Sequence, residues 1–271
     1  SGDYQTSTLP ADTTGFSNMD NPQAYSPLFT VRALPSVHIE GIDQPAQTSS
    51  VLFWNDAGLE GRAAWFSALL NNALIIGGNC DVYETSTPWS AAGNGLGQRV
   101  TPALLSNYST ILYTSGSTYY GTMTEADAWL ISQWLGEPDK HLFATGDNLM
   151  SELSYTSAVT QQLLTESFGS TVVTMDIRPL IQNQSAPTVQ VIEENPVFYS
   201  DQTWVANGGC PWVNTFDGVE TLNGAVQLAS FTSPGGNSEY PFSAATLCQN
   251  HGTVVSLPYA FESILTDPDT N

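Results

Sequence analysis

The amino-acid sequence predicts an α/β domain with a doubly wound, mostly parallel sheet, an antiparallel β extension in its C-terminal third and an extended N-terminal arm. Three observations predict it. Between residues 50 and 169, short apolar runs alternate with segments of helical period. That is the pattern of successive βαβ units, whose right-handed crossovers place helices on both faces of a parallel sheet. Beyond residue 169 strand-like runs follow one another with few helices between them, as antiparallel pairing permits. Before residue 50 the chain is rich in Ser, Thr and Pro and shows little periodicity, the composition of an arm or linker.

The elements follow in order. In the arm, residues 29–34 and 36–40 resemble short strands, with Phe29, Val31, Leu34, Val37 and Ile39 as anchors. Alternation puts Phe29 with Val31, and Val37 with Ile39, on one strand face. The expectation is that the arm docks on a sheet edge, that of its own domain, where it completes the fold, or that of a neighbouring subunit, where it is an assembly device. Residues 51–56 form a short buried strand ending in polar residues. A helix over 61–72 follows, with Ala64, Trp65, Ala68 and Leu69 apolar. Residues 80–84 are a second strand, and 85–100 are a Gly/Ser/Asn loop. Thr101 with Pro102 opens a short helix. A third strand spans 108–114. Thr124-Glu-Ala-Asp127 has the form of a capping box, and the helix it opens offers Ala128, Leu130, Ile131 and Trp134 to the core. Residues 141–145 are a fourth strand running into Gly146-Asp-Asn-Leu149 and a further helical stretch. Another helix covers 157–167 and ends at Gly169. Strands at 171–176, 188–192, 225–232 and 253–258 complete the pattern, the last returning to the main sheet.

Composition narrows the function. There are 26 acidic and 5 basic residues, for a net charge of −21, and Lys140 is the only lysine. Such a chain repels phosphate backbones and anionic lipid, so nucleic acid and membrane insertion are excluded as partners. No apolar run reaches the roughly 18 residues that a membrane span needs. The polar, lysine-poor surface suits a secreted or cell-surface protein, whose signal would have been removed before Ser1. Cys80, Cys210 and Cys248 lack metal-ligand spacing. Cys210 and Cys248 both sit in loop-like contexts, and a disulfide between them is expected, with Cys80 a buried free thiol.

In an open α/β sheet, ligands bind beyond the carboxyl ends of the strands. That rule nominates the loops after residues 55, 84, 114 and 145, and with them Asp56, Ser115 and Asp147. Paired carboxylates there suit acid–base work or a bound cation, with Ca²⁺ the metal such oxygens would hold. The alternative is that Asp56 and Asp147 cap the helices that follow them. A Ser-His-Asp arrangement would draw on Ser115 and on His251, the histidine nearest a strand end. The text around Ser115, Thr114-Ser-Gly-Ser117, lacks the first glycine of a nucleophile elbow. Gly93-Asn-Gly-Leu-Gly97 lies in a long loop rather than a tight strand-to-helix turn, so no dinucleotide site is expected. Trp54, Trp65, Trp129 and Trp134 occupy core-like positions; Trp89, Trp204 and Trp212 are loop positions open to sugar stacking.

The span from Val51 to about Ile264 resembles the class I glutamine amidotransferase-like (flavodoxin-like) fold, in the non-catalytic form found in large secreted bacterial surface proteins. The resemblance is carried by residues 51–58 (VLFWNDAG), 105–116 (LSNYSTILYTSG), 122–130 (TMTEADAWL), 142–149 (LFATGDNL) and 252–262 (GTVVSLPYAFE). It implies a Gly-x-Cys-x-Gly elbow after the central strand, where this chain reads Thr145-Gly-Asp-Asn-Leu149 and has no thiol. The His-x-Glu pair of the family is also lacking, and Glu262 stands alone. The resemblance therefore implies the fold without glutamine hydrolysis. The reading is a non-catalytic structural or interaction module whose partners are other protein domains or copies of itself, with no resident cofactor. The alternatives are a hydrolase using strand-end carboxylates, with or without a metal, and a carbohydrate-binding module.

Overall fold

The computed structural model describes residues 5–8, 28–31, 34, 37–38, 47–57, 61–72, 80–85, 95–118, 120–181, 186–198, 203–206, 212–222, 224–233 and 239–264. The chain divides into two compact units, Ser1–Ser49 and Ser50–Asn271. In the first, β1 (Gln5–Thr8) pairs antiparallel with β2 (Leu28–Val31), and β3 (Val37–His38) with β4 (Gln47–Thr48). The arm is therefore not extended throughout, because its short strands satisfy one another's backbone groups. The side chains of Phe29, Val31 and Val37, and all of Ile39, lie outside the described residues.

The second unit opens with β5 (Val51–Asn55), α1 (Arg62–Asn71), β6 (Cys80–Glu84), α2 (Leu96–Arg99), α3 (Pro102–Leu105) and β7 (Thr110–Thr114). Next come α4 (Glu125–Leu135), β8 (His141–Thr145), α5 (Leu149–Tyr155) and α6 (Ala158–Gln162), the last continuing into a π-helical turn over Leu163–Ser167. The remainder is β-rich: β9 (Ser170–Thr174), β10 (Thr188–Val191), β11 (Thr203–Val205), β12 (Gly218–Thr221), β13 (Ala225–Thr232), β14 (Glu239–Cys248) and β15 (Thr253–Leu257). Eleven strands form one mixed sheet in the order β11-β10-β13-β14-β15-β8-β7-β5-β6, with β12 joining β14 to β9. From β15 to β6 all neighbours are parallel. The remaining pairings are antiparallel.

The chain is thus an α/β fold, and five parallel strands carry the half that sequence periodicity marks out. The expectation of a mostly parallel sheet is corrected. Short connections such as residues 249–252, between β14 and β15, can join only antiparallel neighbours. They make the antiparallel part as large as the parallel one.

Both faces of the parallel half are buried. Phe53, with Leu112 and Phe143 packed beside it, meets Trp65 and Leu69 of α1 on one face. On the other, Leu52, Trp54, Ile111, Tyr113, Leu142 and Ala144 are all buried. Strands covered twice read as continuous apolar runs, which is how the sequence shows them. On α4 the capping box is real. Asp127 N donates to Thr124 Oγ1 at 3.4 Å and Thr124 N to Asp127 Oδ2 at 2.9 Å. Ala128, Leu130, Ile131 and Trp134 are buried, whereas Trp129, expected in the core, is 50% exposed. It stands one position off the buried stripe. The antiparallel half has its own core, built on Val189, Phe216, Leu228, Phe231, Ala245 and Tyr259.

Cys80 begins β6 and is half-buried, with its thiol pushed up to about 11 by burial. Cys248 is a buried free thiol. The loop context expected for it is corrected: it closes β14, where its sulfur packs against Gly169 and lies 3.9 Å from the Glu166 carbonyl. Cys210, the partner expected for it, lies outside the described residues. Among the described residues no helix is long and apolar enough to cross a membrane.

Candidate functional site

The chain runs from β5 to β6 on one side, then returns to β7 on the other side of β5. This reversal makes the carboxyl ends of β5 and β7 a topological switch point, the place where open α/β sheets hold ligands. Asp56 follows β5, Thr114 and Ser115 end β7, and Thr145 and Gly146 end β8. Glu262 arrives from the 3₁₀ turn Phe261–Ser263, just past β15. The fold therefore gathers four of the five sequence candidates, Asp56, Ser115, Asp147 and Glu262, at one end of the sheet.

Each carboxylate there is held by donors of this chain. Asp56 accepts from the Thr85 hydroxyl at 2.7 Å and the Tyr113 hydroxyl at 3.2 Å. Burial, and then the negative charge of Asp56, push the Tyr113 phenol well above its ordinary value. Glu262 accepts from Trp65 Nε1 at 3.0 Å and from the Thr114 hydroxyl at 2.9 and 3.2 Å. One side chain, itself buried, thereby ties α1, β7 and the turn after β15 together. Thr145 Oγ1 donates to the Tyr259 carbonyl at 2.5 Å and accepts from Phe261 N at 2.8 Å, which seats that turn on β8.

Asp147 stands in the turn between β8 and α5. It caps nothing in α5, whose N-cap is Asn148 in the left-handed region (φ 58°) with no side-chain cap. Instead Asp147 accepts from Asn214 N at 2.5 Å, Thr215 N at 3.0 Å and the Thr215 hydroxyl at 2.6 Å. The helix-capping alternative is corrected for this residue. Burial raises the Asp147 pKa, and the Thr215 and Asn214 donors oppose that rise.

A carboxylate that sequence reading passed over completes the group. Asp217 is fully buried and accepts from Ser151 Oγ at 2.5 Å and Ser151 N at 3.0 Å. Burial raises it to about 7 against the Ser151 hydrogen bonds, and the charge of Asp147 adds to the rise. A raised carboxyl pKa means that the folded protein binds this proton more tightly than the unfolded chain does. The contribution of Asp217 to stability is then fully present below about pH 4 and is lost as the pH climbs to about 7, at up to about 1.4 kcal/mol per pH unit. Melting temperature measured from pH 5 to 8 should fall more steeply for the parent than for Asp217→Asn, whose amide can serve both Ser151 groups. Parallel curves for the two proteins would show that Asp217 does not titrate in this range.

Ser115 Oγ and Trp54 Nε1 are buried without a hydrogen bond of full geometry among the described residues, and the Tyr113 hydroxyl, which donates to Asp56, also interacts with the Ser115 hydroxyl. His251 is exposed in the turn before β15, whose first residue, Thr253, is in register with His141 at the start of β8. That places His251 at the amino-end edge of the sheet. At about 3.3 Å per residue along a five-residue strand it is more than about 13 Å from Ser115 and Asp147. Among the described residues no three His, Cys, Asp or Glu side chains are grouped to hold a metal ion. The Asp56 and Asp147 oxygens named for Ca²⁺ accept from hydroxyl and amide donors. Of the loop tryptophans, Trp212 is 74% exposed, and Trp204 donates Nε1 to the Tyr259 hydroxyl at 2.9 Å. Trp89 lies outside the described residues.

No family model matches the chain, and no curated protein matches it. Among solved structures it is similar to the mmIFT52 N-terminal domain, at 11% identity and a TM-score of 0.46, over 79% of this chain and 88% of that one. A likeness at that level carries no functional argument.

Proposed function

We propose that this chain is a non-catalytic structural or interaction module, built on a doubly wound amidotransferase-like domain and displayed outside the cell or on its surface. Its partners on this reading are other protein domains or copies of itself. The observation that carries it is the state of the strand-end groups. The carboxylates of Asp56, Asp147 and Glu262 accept hydrogen bonds that brace neighbouring elements. The Ser115 hydroxyl, buried like those of Thr114 and Thr145, has no histidine, lysine or carboxylate hydrogen-bonded to it among the described residues. Nucleophilic catalysis needs a nucleophile and base within hydrogen-bond reach, with the base oriented by a third group. The turn after β8, where the resemblance would place a thiol, reads Gly146-Asp-Asn148.

Ammonia release from glutamine and hydrolysis of p-nitrophenyl esters test the reading. Neither should exceed background with the purified protein. Turnover that disappears in Ser115→Ala or Glu262→Gln, at an unchanged melting temperature, would establish an enzyme instead. Light scattering across a concentration series separates self-association from a need for other partners.

A further inference from the structure

The antiparallel half carries a groove of about 490 Å³ over β10, β13 and β14. Strand register lays it out. Gln190 stands opposite Ser230, and Thr188 opposite Thr232, which in turn stands opposite Glu239. Side chains directly across a strand pair share a face, so Gln190, Ser230 and Glu239 line one surface. Ile192 lies two positions past Gln190, and its N–H reaches the Leu228 carbonyl at 2.9 Å. Glu193 follows it at that end of the groove, and Glu239 with Pro241 lies at the other. The turn after Glu193 is braced by Asn195. It donates Nδ2 to the Ile192 carbonyl at 2.7 Å and accepts from Val197 N at 3.0 Å and Phe198 N at 2.6 Å.

The polar groups of the groove are acceptors. Gln190 and Gln227 donate Nε2 to the Val191 and Ala229 carbonyls, at 3.4 and 3.3 Å, which leaves their amide oxygens to accept. Glu193 and Glu239 have no ion-pair partner among the described residues, and no Lys or Arg occurs in the chain after Arg178. Ile192, 38% exposed, and Pro241 add apolar surface. On β10, five residues run from Thr188, level with Glu239, to Glu193. At about 3.3 Å per residue the backbones of the two glutamates are roughly 16 Å apart, too far for one metal ion to join them.

We propose that this groove binds a basic segment of another protein, laid extended over the sheet face, with one Arg or Lys side chain at Glu193 and a second at Glu239. The proposal rests on the interaction-module reading and names the partner's chemistry. Residues four apart in an extended segment project from one face and stand roughly 13 Å apart, and the length of two basic side chains covers the remainder. Their aliphatic stems pack on Ile192 and Pro241 while the charged heads meet the carboxylates and the amide oxygens. The net charge of −21 draws such a segment in. A second copy of this chain does not supply it. Of its five basic residues the nearest two in sequence, Arg32 and Arg62, are 30 positions apart. Arg62, Lys140 and Arg178 already pair with Glu84, Glu137 and Asp176.

Fluorescence anisotropy with a fluorescein-labelled peptide, Gly-Arg-Thr-Val-Thr-Arg-Gly, titrated with the full chain at low salt, tests the proposal. The parent should bind it, and should bind the same peptide with Gln in place of both arginines roughly tenfold more weakly. Glu193→Gln and Glu239→Gln should each weaken binding about threefold and together roughly tenfold, at an unchanged melting temperature. Glu125→Gln, at an exposed carboxylate on α4, removes the same charge and should leave binding intact. No binding of the peptide overturns the proposal. So does binding that the double variant retains, or that Glu125→Gln weakens as much, since net charge alone would then account for it. A dimer in light scattering that the peptide fails to dissociate would put a second copy in the groove, and overturns it too. The non-catalytic reading is judged separately, by the ammonia and ester assays.

Discussion

Replacing Asp147 with Ala is expected to lower stability by about 3 kcal/mol, because it strands two backbone N–H groups and a buried hydroxyl at once. Each buried donor left without a partner costs about 1–3 kcal/mol, and Asn214 N is near enough to solvent to recover part of its share. In a domain of this size the loss corresponds to roughly 6–12 °C in melting temperature. Asp147→Asn should fall between. Both Asp147 oxygens accept from backbone N–H groups, and an amide has only one acceptor oxygen, so one N–H would face an NH₂ group. Hydrogen exchange should show residues 212–217 loosening first in both variants. An Asp147→Ala protein that melts with the parent would show that these hydrogen bonds contribute nothing net.

Gly146→Ala is expected to be at least as severe. A Cβ at residue 146 would lie 1.7 Å from Ser115 Oγ and 3.0 Å from Ser115 Cβ. Both neighbours are fixed. Ser115 N donates to the Thr145 carbonyl, and Gly146 N to the Tyr259 carbonyl. Relief requires the Ser115 hydroxyl to leave its buried rotamer and the Ala to hold a φ of 158°, so the single variant should lose about 3 kcal/mol or fail to accumulate folded. The double variant Ser115→Gly/Gly146→Ala removes both clashing atoms and should recover part of the loss, the remainder being the strain of an Ala at the φ of 158° that Gly146 adopts. A Gly146→Ala protein with the parent's melting temperature would mean that β7 and β8 do not approach as described.

The parallel half was legible because its strands are covered on both faces and α4 and α6 open on capping boxes of their own. Thr124 and Asp127 announce α4 within four residues. The antiparallel half was legible only in part. β14, residues 239–248, escaped notice because it is buried from Phe242 through Cys248 and so shows no alternation. Pro241 also argues against a strand unless it lies near an end. β11 and β12 are too short to leave a pattern. The site was legible as a set of strand ends, which the topology rule locates without side chains. The pairings were not. Glu262 meets Thr114 across 148 residues and Trp65 across 197, and Asp217 meets Ser151 across 66. Such separations leave no local signal, so the carboxylates could be listed as candidates but not recognised as braces.

β15 has a consequence for how the molecule is made. It is the last strand in the described chain, yet it lies mid-sheet, parallel to β8 on one side and antiparallel to β14 on the other. A nascent chain emerging from the ribosome completes β8 at Thr145 but cannot supply its neighbour until Leu257 has appeared. At ribosomal speeds of about 5–20 residues per second, the β8 edge waits roughly 5–20 s with its backbone groups unpaired. An edge of that kind is a template for pairing with another chain. The two halves of the sheet can each begin to form during synthesis, but they join only after translation of the final strand.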